Sequence, residues 1–249
     1  MARIAGWVFT LPFLITLALL LVIFDVLQRI ARLIGARPHE FVVGVLQRLV
    51  LWSLRLCGTR ISVERAAGVR PRTAYLIVSN HQAMFDVPII GGLLFTNYPK
   101  FVAKRELVGL LPSIAYNLRR GGNVVIDRDD GLDAVRQLRA FAASVRERGV
   151  SAVIFPEGTR SRDGQLRAFR PAGLRALLRA APELPVVPVT IDGSWKLLRY
   201  GMRPVPFGTR VHVRFGEPIA RAPRDDDAIV EAVFTELEQT LARWRRTNA

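Results

Sequence analysis

The sequence predicts an α/β fold, a mixed and mostly parallel sheet covered by helices, preceded by a membrane-embedded helical element at the amino terminus. Three observations carry this reading. Ile4 to Phe24 contains no charged residue, and at about 1.5 Å per residue a helix of that length just covers the hydrocarbon layer of a bilayer. Beyond Gly58, short β-branched runs alternate with longer stretches of helical spacing, the pattern of a sheet flanked by helices. At 249 residues, the chain is expected to hold one α/β domain with a large core and a small appendage.

Residues 1–57 form the expected anchoring helices and 58–249 the α/β domain. The first apolar run lacks the short core and small-residue cleavage site of a signal peptide, so an uncleaved anchor is expected. Arg29, Arg32, Arg37 and Arg48 follow it and only Arg3 precedes it. This asymmetry places the body of the protein on the cytoplasmic face of the cytoplasmic membrane. A second apolar segment, Phe41 to Leu56, is interrupted by Gln47, Arg48 and Arg55, which suits an amphipathic helix lying in the interface. The alternative is a pair of helices packed on a soluble core.

Strands are expected at 74–79, 100–103, 124–126, 152–155, 186–190 and 210–215, with helices at 132–145 and 174–181 and one over 106–118 broken near Pro112. The last helix begins after Asp225, Asp226 and Asp227, whose carboxylates suit a helix start. Ile229, Val233, Phe234, Leu237, Leu241 and Trp244 then recur at helical spacing, a packing stripe.

Half of the residues are hydrophobic, yet the formal charge is +15, a combination that points to a membrane surface. The positive charge is almost entirely arginine, since the lysines are Lys100, Lys104 and Lys196. Arginine binds phosphate through a planar fork. A nucleic-acid partner is not expected, because the chain carries no recognition helix, zinc spacing or aromatic-basic interleaving. One cysteine, Cys57, and three scattered histidines, His39, His81 and His212, give neither a disulfide nor a metal-site spacing, so no metal is expected.

Two strand ends carry chemistry. Tyr75 to Ser79 runs straight into Asn80-His81-Gln82-Ala83-Met84-Phe85-Asp86, a polar cluster at a common active-site address of open α/β folds. Asn80 is a good helix N-cap, which would put His81 in the first turn of a helix, where the macrodipole keeps the ring neutral. On a regular helix His81 and Asp86 stand about 140° apart, so their pairing requires an irregular turn. Given that turn, Asp86 would hold one ring nitrogen and leave the other as a general base. Taken alone, the heptapeptide reads equally well as a capped helix with a satisfied histidine.

The second strand, Ala152 to Phe155, ends in Pro156-Glu157-Gly158-Thr159-Arg160-Ser161-Arg162. Gly158 permits close backbone approach to a ligand and Arg160 offers a phosphate fork. An ordinary turn with solvated arginines would give the same sequence.

Together these segments resemble the glycerolipid acyltransferase family, particularly its 1-acylglycerol-3-phosphate acyltransferases. The Asn-His-x-x-x-x-Asp block is matched by Asn80, His81 and Asp86, and the Phe-Pro-Glu-Gly-Thr-Arg-Ser block by Phe155 to Ser161 without a gap. Gly122 to Arg128 is similar to the block between them, and Val187-Pro188-Val189 to the last. The stretch Lys100 to Leu107 followed by Pro112 also fits. The resemblance covers 74–193. Ala83 departs from it, standing where many relatives carry Ser, and Gly173 falls one residue later than the usual Phe-x-x-Gly.

The resemblance implies acyl transfer from acyl-CoA or acyl carrier protein to the sn-2 hydroxyl of 1-acyl-sn-glycerol 3-phosphate, giving phosphatidate. It implies His81 and Asp86 as catalytic residues. Asn80, Lys104, Arg128, Phe155, Pro156, Glu157, Gly158, Thr159 and Arg160 would bind substrate, with a backbone amide near Asn80 or Gly158 stabilising the oxyanion. The thioester is a cosubstrate and no resident cofactor is expected. Lysophospholipid, acyl thioester, the bilayer and acyl carrier protein are the expected partners. Another lysophospholipid or glycerol 3-phosphate as acceptor, or a non-catalytic lipid-binding protein, are the competing readings. The chain has no Gly-x-Ser-x-Gly elbow, which argues against a serine lipase.

Overall fold

Seven strands form one sheet in the order β1-β7-β6-β2-β5-β3-β4. The computed structural model describes residues 2–105, 109, 111–127, 131–222 and 224–247. Strands β2 (Leu76–Ser79), β3 (Lys100–Lys104), β4 (Val124–Ile126), β5 (Ala152–Ile154) and β6 (Val186–Asp192) run parallel to one another. β7 (Arg210–Phe215) is antiparallel to β6, and β1 (Arg60–Arg65) pairs parallel with β7 at the edge. The sheet is therefore mixed and mostly parallel.

The pleat sorts side chains to two faces. Leu76, Val78, Ala152 and Ile154 join a core with Leu138 of α5 (Gly131–Arg148), Leu174 and Leu177 of α6 (Pro171–Ala180), and Ile229, Val233 and Leu237 of α7 (Asp226–Thr247). Ile77, Val153 and Val187 point the other way. They meet Phe13, Leu21 and Phe24 of α1 (Ala2–Ile34), Leu46 and Val50 of α2 (Ala36–Ser53), and Ile89 and Ile90 of α3 (Asp86–Leu93). Helix α4 (Pro112–Arg120) starts on its proline, as the missing N–H of that residue favours. The expected helix from 106 to 118 thus begins at Pro112; Glu106 to Val108 and Leu110 lie outside the described residues.

The sheet has one strand more than expected. Arg60-Ile-Ser-Val-Glu-Arg65 carries three charges and is exposed at five of six positions, so an edge strand paired on one side left no apolar run to read. At the other end of the chain Asp225 accepts a hydrogen bond from Ala228 N at 2.7 Å. Ile229, Val233, Leu237, Leu241 and Trp244 are buried, and Phe234 meets Phe169 edge-on at 5.1 Å.

Helices α1 and α2 form a layer of the fold. Thr10 Oγ1 accepts from Val205 N at 2.8 Å, Gln28 Nε2 donates to Ser113 Oγ at 2.5 Å, and Phe13 stands 6.1 Å from Phe85. The opposite flank of α1 is an exposed apolar stripe from Ile4 (71 % exposed) through Leu11, Ile15, Val22 and Val26 to Leu33 (89 %). Among the described residues this is the one helix long and apolar enough to cross a membrane. Gly58, in the left-handed conformation after α2, sits where a Cβ would lie 2.8 Å from the Phe207 ring.

Candidate active site

The carboxyl ends of β6, β2, β5 and β3 stand side by side on one edge of the sheet. β2 is buried at every position, and the first residue beyond it continues the sheet through its side chain. Asn80 Nδ2 donates to Ile191 O and Asn80 Oδ1 accepts from Ile191 N, both at 2.8 Å. The Asn80 side chain is therefore engaged by β6.

Helix α3 begins at Asp86, five residues later than an N-cap at Asn80 would give. His81 thus lies in the turn before the helix, and the macrodipole argument for its neutral ring does not apply. A carboxylate sets the ring instead. His81 Nδ1 lies 2.8 Å from Asp86 Oδ2, an oxygen that also accepts from Gln82 N at 2.6 Å and Ala83 N at 2.8 Å. Because Oδ2 is an acceptor of two backbone N–H groups, it favours the tautomer in which Nδ1 donates to it and Nε2 keeps its lone pair. Asp86 is fully buried, its other oxygen accepting from Ser194 Oγ at 2.6 Å, while the His81 side chain is 19 % exposed. The ring stacks on Phe155 with centroids 4.2 Å apart. Nε2 has no protein partner among the described residues.

The turn after β5 is tied to the same histidine. Glu157 Oε1 accepts from His81 N at 2.7 Å, Oε2 accepts from Arg167 N at 3.0 Å, and Ser161 N donates to His81 O at 2.7 Å. Burial pushes the Glu157 carboxyl up to about 7 against the pull of these two backbone donors. Each of its oxygens accepts from a backbone N–H, so Glu157 is a strut between the two loops. Gly158 takes a positive φ of 74°, and its N–H donates to Phe155 O at 3.1 Å, which removes it as a free oxyanion donor. Pro156 is buried, and Thr159 and Arg160 are exposed at the tip of the turn.

Lys104 closes β3, half-buried, in register with Ile126 at the end of β4. Next to it Arg105 pairs with Asp127 at 3.7 Å. Arg128 lies outside the described residues. Ser194 was not among the expected site residues. It follows Gly193, whose φ of 88° and whose contact with Arg210 O, 2.2 Å from any added Cβ, exclude other residues. A third strand ending in a glycine turn was the available signal.

A polar cluster around a base at adjoining strand ends fits several chemistries. A family model described as Acyltransferase matches residues 60–192, more than half of the chain. The chain belongs to the acyltransferase family. The matched stretch of this acyltransferase runs from β1 to the end of β6 and so contains His81, Asp86 and the Phe155 to Arg160 turn. Among curated relatives, the 1-acyl-sn-glycerol-3-phosphate acyltransferase of Limnanthes douglasii is 30 % identical over 179 residues, 69 % of this chain and 57 % of that protein. The lyso-ornithine lipid O-acyltransferase of Pseudomonas aeruginosa is 33 % identical over 156 residues, 62 % of this chain and 57 % of that one. The chain thus spans somewhat over half the length of these relatives. The crystal structure of the 1-acyl-sn-glycerophosphate (LPA) acyltransferase PlsC from Thermotoga maritima shares the fold, with a TM-score of 0.77 over 98 % of both chains at 23 % identity.

Proposed function

We propose that this acyltransferase moves a fatty acyl group from a thioester, acyl-CoA or acyl carrier protein, to the sn-2 hydroxyl of 1-acyl-sn-glycerol 3-phosphate, giving phosphatidate and a free thiol. The observation that carries the reading is the 2.8 Å pair of His81 and Asp86, its free Nε2 set beside a turn that presents Arg160.

Nε2 of His81 takes the proton as the acceptor hydroxyl attacks the thioester carbonyl carbon, and the buried Asp86 carboxylate supports the imidazolium that forms. Collapse of the tetrahedral intermediate expels the thiolate, which receives that proton from His81. No acyl-enzyme forms, because the hydroxyl attacks the thioester directly. Arg160 and Lys104, with Arg128, hold the acceptor phosphate by charge and fork geometry. Phe155 keeps the imidazole ring in place by stacking on it.

The apolar stripe of α1 rests in the bilayer, and the arginines that follow it favour a cytoplasmic position for the body. The lyso-ornithine relative favours a second reading, an acceptor without a phosphate. Both are tested with detergent-purified protein, long-chain acyl-CoA and a panel of lysolipids, reading free thiol and product mass. Thiol release with lysophosphatidate is expected, and His81→Ala should lower it by about 10²–10⁴-fold while the protein keeps its fold and membrane attachment. An active His81→Ala enzyme would end the general-base mechanism, and a protein that binds lysolipid without releasing thiol would be a binder.

A further inference from the structure

At the amino-terminal end of β4, the opposite edge of the parallel strands from His81, lies a groove of about 320 Å³. Arg32 in the last turn of α1, Ala36 and His39 in the first turn of α2, Arg120 to Gly122 at the end of α4, and Arg148 at the end of α5 line it. We propose that this groove is a second anion site, which takes the phosphate group of an anionic phospholipid where the apolar stripe of α1 ends.

Three independent features converge there. The first is an unanswered polar atom: His39 is 1 % exposed, and its Nε2 is buried without a hydrogen-bond partner. A buried ring nitrogen left unpaired costs free energy that a ligand acceptor would recover. The second is the start of α2. This helix of 18 residues has no side-chain cap and no acid in its first turn; Pro38 has no N–H and the His39 N–H donates to Gly35 O, so the N–H groups of Ala36 and Arg37 and the positive end of the helix face an approaching anion. The third is unbalanced charge. Glu40, 4 % exposed, is the single carboxylate that Lys100, Arg37 and Arg148 share, while Arg32 and Arg120 have no ion-pair partner among the described residues. Burial and the neighbouring cations Lys100, Arg32 and Arg148 hold His39 down at about 4 against the opposing Glu40. The ring is therefore neutral near pH 7 and can donate from Nε2.

The position selects the source of the phosphate. Ile30, Leu33 and Ile34 are exposed immediately before the groove, so a lipid whose chains lie along α1 would bring its headgroup to Arg32. Two arginine forks, a helix start and a ring N–H are the donors that a phosphate needs. The site shares no residue with the acyl-transfer machinery and stands whether or not that reading holds.

The chain has three histidines, which makes a direct readout practical. Full-length protein in detergent, labelled with ¹³C-histidine, is titrated separately with short-chain phosphatidylglycerol and with inorganic phosphate. His39→Gln assigns the His39 signal. Saturable movement of that signal is expected, tighter for the lipid. The double variant Arg32→Gln/Arg120→Gln should weaken it by roughly tenfold or more, whereas Arg175→Gln/Arg179→Gln, with the same charge removed on α6, should leave it unchanged. Tighter binding of inorganic phosphate than of lipid would keep the anion site but assign it to a soluble phosphate. A His39 signal that neither anion moves, or equal weakening in both double variants, would overturn the site.

Discussion

Asp86 is fixed by residues that arrive from two directions. Gln82 N and Ala83 N come from its own turn, and Ser194 Oγ comes from the end of β6, 108 residues away, at 2.6 Å. Hydrogen bonds to a buried charge contribute about 1.5–3 kcal/mol. Ser194→Ala, which leaves one carboxylate oxygen with room to rotate, should therefore lower kcat by roughly tenfold or more with little change in KM. Ser194→Thr, which keeps the hydroxyl, should restore most of it. Ser194→Ala with unchanged kcat would show that the backbone amides alone hold the carboxylate. His81 and Asp86 were legible because two chemistry-bearing types share one heptapeptide beside a buried strand. Ser194 was not, since its partner is far along the chain. The backbone contacts of Asn80 and Glu157 were hidden for a related reason: a polar residue at a strand end reads the same whether or not it holds the backbone of Ile191, His81 or Arg167.

Helix α2 meets the rest of the fold through small residues. A Cβ on Gly44 would lie 2.4 Å from the Phe95 ring, and one on Gly92 would lie 3.3 Å from the backbone nitrogen of Arg48. A ring held under Arg48, whose guanidinium carbon is 4.2 Å above it, cannot withdraw cheaply. Gly44→Ala should destabilise the protein by about 1–3 kcal/mol through overpacking, read as a lower unfolding temperature in detergent, although alanine is the better helix former. An unchanged midpoint would mean that Phe95 yields. The strands with continuous apolar runs and the α7 stripe could be read directly, because hydrophobic spacing reports burial. The start of α3 could not, because a capping residue is defined by the conformation after it, and the turn from Asn80 to Phe85 is organised by the carboxylate of Asp86. The N-terminal helices were read as apolar, but a sequence does not say which flank of an apolar helix meets protein and which meets lipid.

A formal charge of +15 leaves few carboxylates to neutralise buried cations, and the Glu40 cluster shows how the molecule copes. One acid serves three bases while the adjacent His39 stays neutral. That arrangement has a pH signature. His39 is held at about 4 by burial and the surrounding cations, against an ordinary value of 6.5. Between these values the unfolded chain binds a proton that the folded chain does not, so stability rises with pH across the window and falls as pH drops through it. Acidification from pH 6.5 to 4 should remove up to about 3 kcal/mol through this residue. His39→Gln should flatten that part of the profile relative to wild type, in unfolding midpoints taken at pH 7 and near pH 4.5. Parallel profiles would place the acid sensitivity elsewhere. The two flanks of α1 carry a different consequence. Its inner flank is fixed to the body near both ends, by Thr10 to Val205 and by Gln28 to Ser113, so the helix is a rigid mount and not a tether. A bilayer that wets the outer flank meets His81 at one fixed height and tilt. An acceptor hydroxyl confined to the glycerol level of that bilayer then approaches the imidazole within a plane, and turnover should follow the acceptor's mole fraction in the lipid instead of its bulk concentration.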